Sequence, residues 1–427
     1  MKILVLNCGS SSVKFQLIET DLERIQNQDE IVLARGMVEK IGLSPAIMRY
    51  QLLNENPLHL SEMKDKLPPE EKEPLEINDH GEAIQKALKV LTDPKKGVVR
   101  APEDIDAVGH RVVHGGEKFQ SSVYIDDDVL AGIRDCVEFA PLHNPHNLRG
   151  YYAAVDVLPH CPHVAIFDTA FHQTMKPHVF LYGLPYQIYQ NYGIRRYGFH
   201  GISHRYVSYR LSQLLGVSRD ELRIITCHLG NGCSLAAIDH GRSVDTSMGF
   251  TPLEGLMMGT RTGDLDPSII LTLMAKDELT LNEANNLLNK HSGLQGISGV
   301  SSDMREIIKA AKEGNERAQI AIDMFCYRLK KYIASFAAAM GGVDHIIFTG
   351  GIGENSPIIR EKSCQGLEFM GVTINPTRND NCIGAEGIIS KDRGTIGVWA
   401  IPTNEELVFA RDTVRCIQAR EGQCAAK

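Results

Sequence analysis

A chain of 427 residues, 43% apolar and 23% charged, has the length for two or three domains with substantial cores and the composition of a soluble globular protein. Its net charge of −8 excludes a dedicated nucleic-acid or membrane-surface binder, so a phosphate ligand must be held by local donors. Ile3–Leu6 is too short an apolar core for a signal peptide, no run of about 18 apolar residues reads as a transmembrane helix, and ten scattered cysteines without a CxxC pair suit reduced thiols in the cytoplasm.

The chain opens on MKILVLNCGSSSVKFQLIE. Ile3–Leu6 reads as a buried strand, Asn7 to Ser12 as a tight turn and Val13 to Ile18 as the returning strand. A turn with the hydroxyls of Ser10 and Ser12, exposed backbone N–H groups and Lys14 close behind suits an anion such as a phosphate. Residues 44–76, rich in Pro, Glu and Lys, read as a partly irregular insertion. Gly81–Leu91 predicts a helix with Ala83, Ile84, Ala87, Leu88 and Leu91 on one face, stopped by Pro94. Ile105–Val113 predicts a strand carrying Arg111 into His114-Gly115-Gly116. Val164–Phe167 predicts another, ending at Asp168, and ligands of α/β sheets gather at the carboxyl ends of strands. His143 and His146, like His160 and His163, have a spacing a metal could use, but no matching Cys or HExxH occurs and turn structure is favoured.

His200, in RRYGFHGISH, lies next to Gly198 and Gly201 and can donate to a developing negative charge. Ile224 to Asp239, IITCHLGNGCSLAAID, repeats the N-terminal pattern, with Gly230 where Gly9 stood and His228 where Asn7 stood. Two such units suggest two similar lobes facing one ligand; either alone is equally an ordinary hairpin. Arg261 lies in the Gly- and Thr-rich turn MGTRTGD. Like Arg111, it can grip a carboxylate or phosphate through two parallel N–H bonds, or be tied to a structural aspartate such as Asp264 or Asp266. Ile320–Met340 predicts the clearest helix, ended by Gly341-Gly342. Ile346–Thr349 predicts a strand running into GGIGEN, a third Gly-rich turn at 350–355. None of the three turns is a P-loop or a full dinucleotide fingerprint; together they describe a nucleotide gripped by several backbone turns. Thr395–Ile401 predicts the last strand and Asn404–Gln418 the last helix. Thr403 or Asn404 would cap that helix, with Glu405 and Glu406 suiting its dipole, and a carboxylate at this junction is also well placed for magnesium. Alternating strands and helices give an α/β class, with a domain boundary near 150–170.

NCGSSSVKF, GHRVVHGG, FDTAFH, RRYGFHG, HLGNG, SMGFTPLEG, MGTRTGD, DMR at 303–305, GGIGEN and IPTNEEL follow one another in this order. Together they closely resemble the acetokinase family over nearly the whole chain. Cys8 stands where that family usually has Ala, and 44–100 is longer than usual. The resemblance implies the duplicated ribonuclease-H-like fold of sugar kinases, heat-shock chaperone ATPases and actin. It implies two domains with a cleft between them, 1–168 plus about 405–427 and 169–404, and a homodimer. The implied reaction is ATP + acetate ⇌ ADP + acetyl phosphate with Mg²⁺, Mn²⁺ being an alternative ion.

Residue by residue, Asn7 and Glu405 match the family's magnesium positions, Asp168 its catalytic acid, His200 its transition-state stabiliser, and Arg111 and Arg261 its substrate arginines. Val113, Leu142, Phe199 and Pro252 match positions lining its methyl pocket. Ser10, Ser12 and Lys14 match its first phosphate turn. His228, Leu229, Gly230, Asn231 and Gly232, then Asp303, Met304 and Arg305, then Gly351, Ile352, Gly353, Glu354 and Asn355 match its nucleotide-binding segments. Acetate is already ionised at neutral pH, so the chemistry needs positioning and charge, not a strong base. Asp168 is therefore expected to orient Arg111 or magnesium more than to move a proton. The rival readings are a propionate or butyrate kinase, against which Val113 leans, and an ATPase switch of the actin and chaperone kind, against which the paired arginines argue.

Overall fold

The apolar run at the N-terminus forms β1 (Lys2–Cys8), which returns through Gly9–Ser11 as β2 (Ser12–Glu19). Ile3, Leu4, Val5 and Leu6 are all buried, so β1 is covered on both faces, which is why its sequence is a continuous apolar run and not an alternating one. The computed structural model describes residues 1–55, 71–95, 97–141, 143–392 and 394–425. The chain divides into two compact units: Met1–Ala170 with Asn404–Lys427, and Phe171–Thr403.

In the first unit β3 (Ile31–Glu39), β4 (Ala46–Glu55) and β5 (Glu71–Leu75) continue the antiparallel meander outward from β2. On the other side β6 (Ala107–Val112) runs parallel to β1, β8 (His163–Phe167) parallel to β6, and the short β7 (Val123–Tyr124) antiparallel to β8. The second unit repeats this plan. β9 (Arg223–Leu229), β10 (Cys233–Asp239) and β11 (Arg242–Thr246) form the meander. β12 (His345–Thr349) runs parallel to β9, β14 (Gly397–Ala400) parallel to β12, and β13 (Gly387–Ile388) antiparallel to β14. The two sheet orders, β5-β4-β3-β2-β1-β6-β8-β7 and β11-β10-β9-β12-β14-β13, share a core of five strands and one edge. This is the duplicated ribonuclease-H-like fold.

Two local expectations change. The stretch 44–76, expected to be partly irregular, contains β4 and β5, so its described residues extend the sheet at its edge. GGIGEN is not a turn: Gly350–Asn355 is a short helix that starts directly from β12. Among the described residues no helix is long and apolar enough to cross a membrane.

The period of two along a strand decides which residues reach the site. Leu4, Leu6 and Cys8 pack into the core beneath the helices His80–Leu91 and Asn144–Val157. Gly150 permits the second of these to come close, since a Cβ there would lie 2.3 Å from Cys8 Sγ. The opposite face of the sheet carries the helix Glu405–Ala425, which lies near enough to β6 that a Cβ on Gly109 would meet Thr413 Oγ1 at 2.6 Å. Asn7 follows the parity of Val5, and Arg111 that of Gly109. Both therefore emerge at the carboxyl ends of neighbouring strands on the face where that helix begins.

Candidate functional site

In the first unit the site is built around Arg111. Its Nε donates to Asp168 Oδ1 at 3.0 Å, its Nη2 to Asp168 Oδ2 at 2.5 Å and its Nη1 to Asn7 Oδ1 at 3.4 Å. Burial works against the charge, but Asp168, reinforced by Glu405 and Glu406, holds the guanidinium firmly protonated. The bidentate fork fixes the plane of the guanidinium, and the Asp168 side chain is only 2% exposed. Lys14 sits opposite Asn7 in the β1–β2 register and is exposed, as is Ser10, while Ser12 is half-buried at the start of β2.

Asn404 caps the last helix, its Oδ1 accepting from Leu407 N at 3.1 Å. That places Glu405 in the first turn, beside Arg111. Burial pushes its carboxyl up to about 7, against the pull of Arg111 and Lys14 in the other direction. No group of three or more His, Cys, Asp or Glu side chains suited to a metal occurs among the described residues. Asn7 and Glu405 nevertheless offer oxygen donors, and a cation beside them would favour the ionised carboxylate against the burial that opposes it. That donor set fits a hard divalent ion which takes one or two protein oxygens and completes its shell with phosphate and water.

The turn carrying these residues is tied down by groups that the motifs did not single out. His80 Nε2 pairs with Gly9 O at 2.7 Å, and Asn147 donates to Cys8 O at 2.9 Å. Asn147 Oδ1 also accepts from Val113 N, and Asn144 Oδ1 from His114 N, both at 3.1 Å. The readable signal was the Asn pair in LHNPHN, three residues apart at a helix start. Val113 is buried at 6% exposure. Leu142 lies outside the described residues. His163 is not a ligand-like histidine: it is buried in β8 and pairs with His110 at 2.9 Å.

In the second unit His200, Gly232 and Arg261 converge. A Cβ built on Gly232 would lie 3.3 Å from His200 Cε1, 3.5 Å from His200 Nε2 and 3.6 Å from Arg261 Nη1, so the glycine leaves that space open. His200 has a left-handed backbone (φ 54°) at the start of the helix Gly201–Leu215, a conformation sparsely adopted by non-glycine residues. It is held by its neighbours: Gly198 precedes it at φ 78°, and His172 Nε2 pairs with Phe199 O at 3.1 Å. Phe199 is buried at 2% exposure. The ring of His200 stacks on His228, 4.3 Å between centroids, and His228 Nδ1 pairs with Ser203 Oγ at 2.8 Å.

Arg261 is half-buried, and burial pulls its pKa down. Its Nη1 donates to Pro252 O at 3.2 Å and approaches Met258 Sδ at 3.8 Å; among the described residues it pairs with no carboxylate. The aspartates that could have claimed it are engaged elsewhere. Asp264 accepts from Gly255 N at 2.8 Å and from Tyr332 Oη at 2.6 Å, while Asp266 caps the helix Pro267–Lys276.

Beside this cluster lies a cavity of about 800 Å³. Gly230 and Asn231 of the β9–β10 turn form one wall. Ser302 to Arg305 and Ile308 form another, and Gly351, Ile352 and Asn355 to Pro357 the third. Ser302, Ile308, Ser356 and Pro357 were not singled out in the sequence; each neighbours a motif that was. Asp303 caps the helix Met304–Lys312 and pairs with the exposed Arg305 at 2.6 Å. Three of the expected nucleotide residues face inward. The Leu229 side chain is fully buried, Gly353 packs on Phe348, and Glu354 Oε1 accepts from Gly350 N at 2.9 Å and Thr403 N at 3.0 Å.

The family model of the acetokinase family matches residues 2–411. An acetate kinase of Caldicellulosiruptor saccharolyticus is 51% identical over 419 residues, 98% of this chain and 100% of that one. The crystal structure of Porphyromonas gingivalis acetate kinase matches with a TM-score of 0.89 at 47% identity, covering 97% of this chain and 99% of that one. A propionate kinase from Francisella tularensis matches with a TM-score of 0.85 at 39% identity, covering 96% and 98%.

Proposed function

This chain belongs to the acetokinase family, and we infer from that membership that it is a phosphotransferase moving the γ-phosphoryl group of ATP reversibly to acetate, giving acetyl phosphate and ADP. The observation that carries the chemistry is Arg261, a half-buried guanidinium with no carboxylate partner among the described residues. Such a charge is costly until an anion joins it. A carboxylate attacking a phosphoryl group brings two anions together, and the protein must supply the opposing charge. Arg261 and Arg111 supply it, Arg111 in an orientation fixed by Asp168. His200 donates to the oxygens of the transferring group. A loose transition state needs this positioning and charge, and acetate needs no base.

Asn7 and Glu405 would hold Mg²⁺, with Mn²⁺ an alternative; when bound, the ion neutralises phosphate charge and keeps Glu405 ionised. The cavity beside Gly230, Asp303 and Gly351 is of a size for a nucleotide, and its walls come from the three segments that match the family's nucleotide-binding motifs. The β1–β2 turn, with Ser10, Ser12 and Lys14, serves the phosphates. We also propose that the chain works in the cytoplasm as a homodimer; light scattering that returns one chain mass of 47.3 kDa, not two, would overturn the dimer.

The test is ADP release from Mg·ATP with acetate, propionate, butyrate or no acid, trapping acyl phosphate with hydroxylamine. Acetate-dependent ADP matched by acetyl hydroxamate is expected, with propionate poorer. ADP release indifferent to the acid would sink the acyl-kinase reading.

A further inference from the structure

The face of the β9–β10 hairpin that carries His228 also carries Thr226 and Ser234, because His228 pairs with Ser234 and Thr226 with Ala236 in the register. The first turn of the helix Gly201–Leu215 lies against this face and inserts His204 between the two hydroxyls. His204 Nδ1 pairs with Thr226 Oγ1 at 2.6 Å and His204 Nε2 with Ser234 Oγ at 2.8 Å. Ser234 Oγ pairs in turn with His200 Nδ1 at 2.9 Å. His204, Thr226 and Ser234 are buried at 0% exposure. Burial holds His204 well below the ordinary histidine range, so its ring is neutral, with one N–H and one bare nitrogen.

We propose that Thr226, His204 and Ser234 form a one-way hydrogen-bond relay that fixes His200 as a neutral Nε2–H donor. Each hydroxyl has one proton and each neutral ring has one, so the chain can run in two directions; a third arrangement, with Ser234 accepting from both rings, leaves the buried Ser234 proton without an acceptor among the described residues. In one, Thr226 donates to His204 Nδ1, His204 Nε2–H donates to Ser234, and Ser234 donates to His200 Nδ1. The proton of His200 is then on Nε2, the nitrogen on the edge that faces Gly232 and Arg261. In the other direction every bond reverses, and Thr226 becomes the final acceptor. Its hydroxyl proton would then be buried without an acceptor, since among the described residues Thr226 Oγ1 pairs with His204 alone. A buried donor left unpaired costs about 1–3 kcal/mol, whereas the first direction leaves only spare hydroxyl lone pairs. The strand residue farthest from the reacting groups therefore selects the tautomer of the nearest.

The consequence rests on the acyl-kinase reading: a neutral ring with Nε2–H presents a donor to a phosphoryl oxygen, whereas the other neutral tautomer would present a lone pair to it. Thr226, His204 and Ser234 touch no substrate and are positioning residues. The design also accounts for a buried polar column in a strand, β9, whose counterpart β1 is apolar at the matching place: Thr226 stands where Val5 stands.

The test is ¹⁵N NMR of full-length protein labelled on the imidazole nitrogens, in wild type, Thr226→Ser and Thr226→Val, with His200→Gln to assign the signal. Steady-state kinetics on the same samples give kcat and the Michaelis constants. We expect the proton on His200 Nε2 in wild type and in Thr226→Ser. Thr226→Val, which keeps the shape and removes the hydroxyl, should mix the tautomers and lower kcat about tenfold, with the constants for ATP and acetate within about twofold, as for other groups that orient a reacting histidine. A His200 proton on Nδ1 in wild type overturns the relay. So does a Thr226→Val protein whose tautomer or kcat is unchanged. The NMR result is independent of turnover, so a wild type without acetate-dependent activity would overturn the functional reading and leave the relay to be judged by its spectrum.

Discussion

β1–β2 and β9–β10 are the same hairpin built twice, and their differences divide the chemistry. β1 (KILVLNC) and β9 (RIITCHL) share one pattern of burial, with Asn7 and His228 as the half-exposed residues before the turn. Gly9 N donates to Ser12 O in the first turn, and Gly230 N to Gly232 O in the second, which is one residue shorter. Across the hairpin, Asn7 faces Lys14 and His228 faces Ser234. The first hairpin thus opens onto charge: a lysine, the Arg111–Asp168 fork and the Glu405 carboxyl. The second opens onto two stacked histidines, the Arg261 guanidinium without a carboxylate partner among the described residues, and a glycine turn at the mouth of a cavity. One scaffold, duplicated, thus carries two different sets of side chains at the same place in the fold.

The two arginines carry the same contrast and offer the sharpest way to break it. Arg111 is neutralised in advance by a buried aspartate, and Arg261 is not. Arg111→Ala should lower kcat by at least about a hundredfold and also cost stability on the order of 3 kcal/mol, because Asp168 is left buried and unpaired. Arg261→Ala should lower kcat by at least about a hundredfold, with little change in the Michaelis constant for ATP and with no loss of stability, since it removes a charge that has no counter-ion. Urea denaturation of the two variants separates them. Equal stability losses would mean that the difference in pairing has no energetic weight, and an ATP-specific loss for Arg261→Ala would give that arginine another role.

Asp168→Asn tests the fork from its other side. The amide keeps the shape but cannot hold Arg111 with two charge-assisted bonds. Turnover should fall about 10- to 100-fold, as for other groups that orient a reacting side chain. Near-normal turnover would show that Arg111 needs no such partner.

A smaller effect is read through pH. In the second unit burial lowers the pKa of His172 to about 4, with its Nδ1 paired to Ser243 Oγ at 2.7 Å. Above about pH 6.5 the histidine is neutral whether folded or unfolded, and its contribution to stability is fully present. As pH falls from about 6.5 toward about 4, the unfolded chain takes up a proton that the folded one refuses, and stability is lost, up to roughly 3 kcal/mol from this group. Urea midpoints at pH 7.5 and pH 5 should therefore differ less in His172→Gln than in wild type. The same drop in both would assign the acid sensitivity to other buried histidines, His110 and His204 first.

What the sequence disclosed, and what it hid, follows from where each residue gets its instructions. The run at 3–6 announces a central strand because burial on both faces demands continuous apolar residues, whereas Thr226 and His228 interrupt the matching run in β9. The β5 segment EKEPL announces nothing. It is exposed along most of its length, contains Pro74 and exists as a strand because β4 pairs with it, and an edge tolerates proline. GGIGEN reads as a turn because glycine is a poor helix former, and its helical turn is secured instead by Glu354 reaching back to Gly350 N. At the site, Arg111, Asp168, His200 and Arg261 stand out by residue type beside glycines or strand ends. The groups that orient them, Asn147, His204, Thr226 and Ser234, are ordinary residues whose roles arise only when a helix is laid on a sheet. His204 did leave a trace, four residues after His200 on the same helical face.

The smallest expected effect concerns the choice of acid. Val113 is buried beside Arg111, and its backbone N–H is fixed by Asn147, so the side chain cannot easily be moved aside. We propose that its two methyl groups line the acid's site and crowd a chain longer than acetate, where one methylene discriminates by only about 1–3 kcal/mol. Propionate should therefore be a poorer substrate and not an excluded one. Val113→Ala should raise kcat/KM for propionate relative to acetate by several-fold at most, with the arginine contacts untouched. Because the ratio compares two acids on one protein, a general loss of activity in the variant cancels from it. An unchanged ratio would take the choice of acid away from Val113.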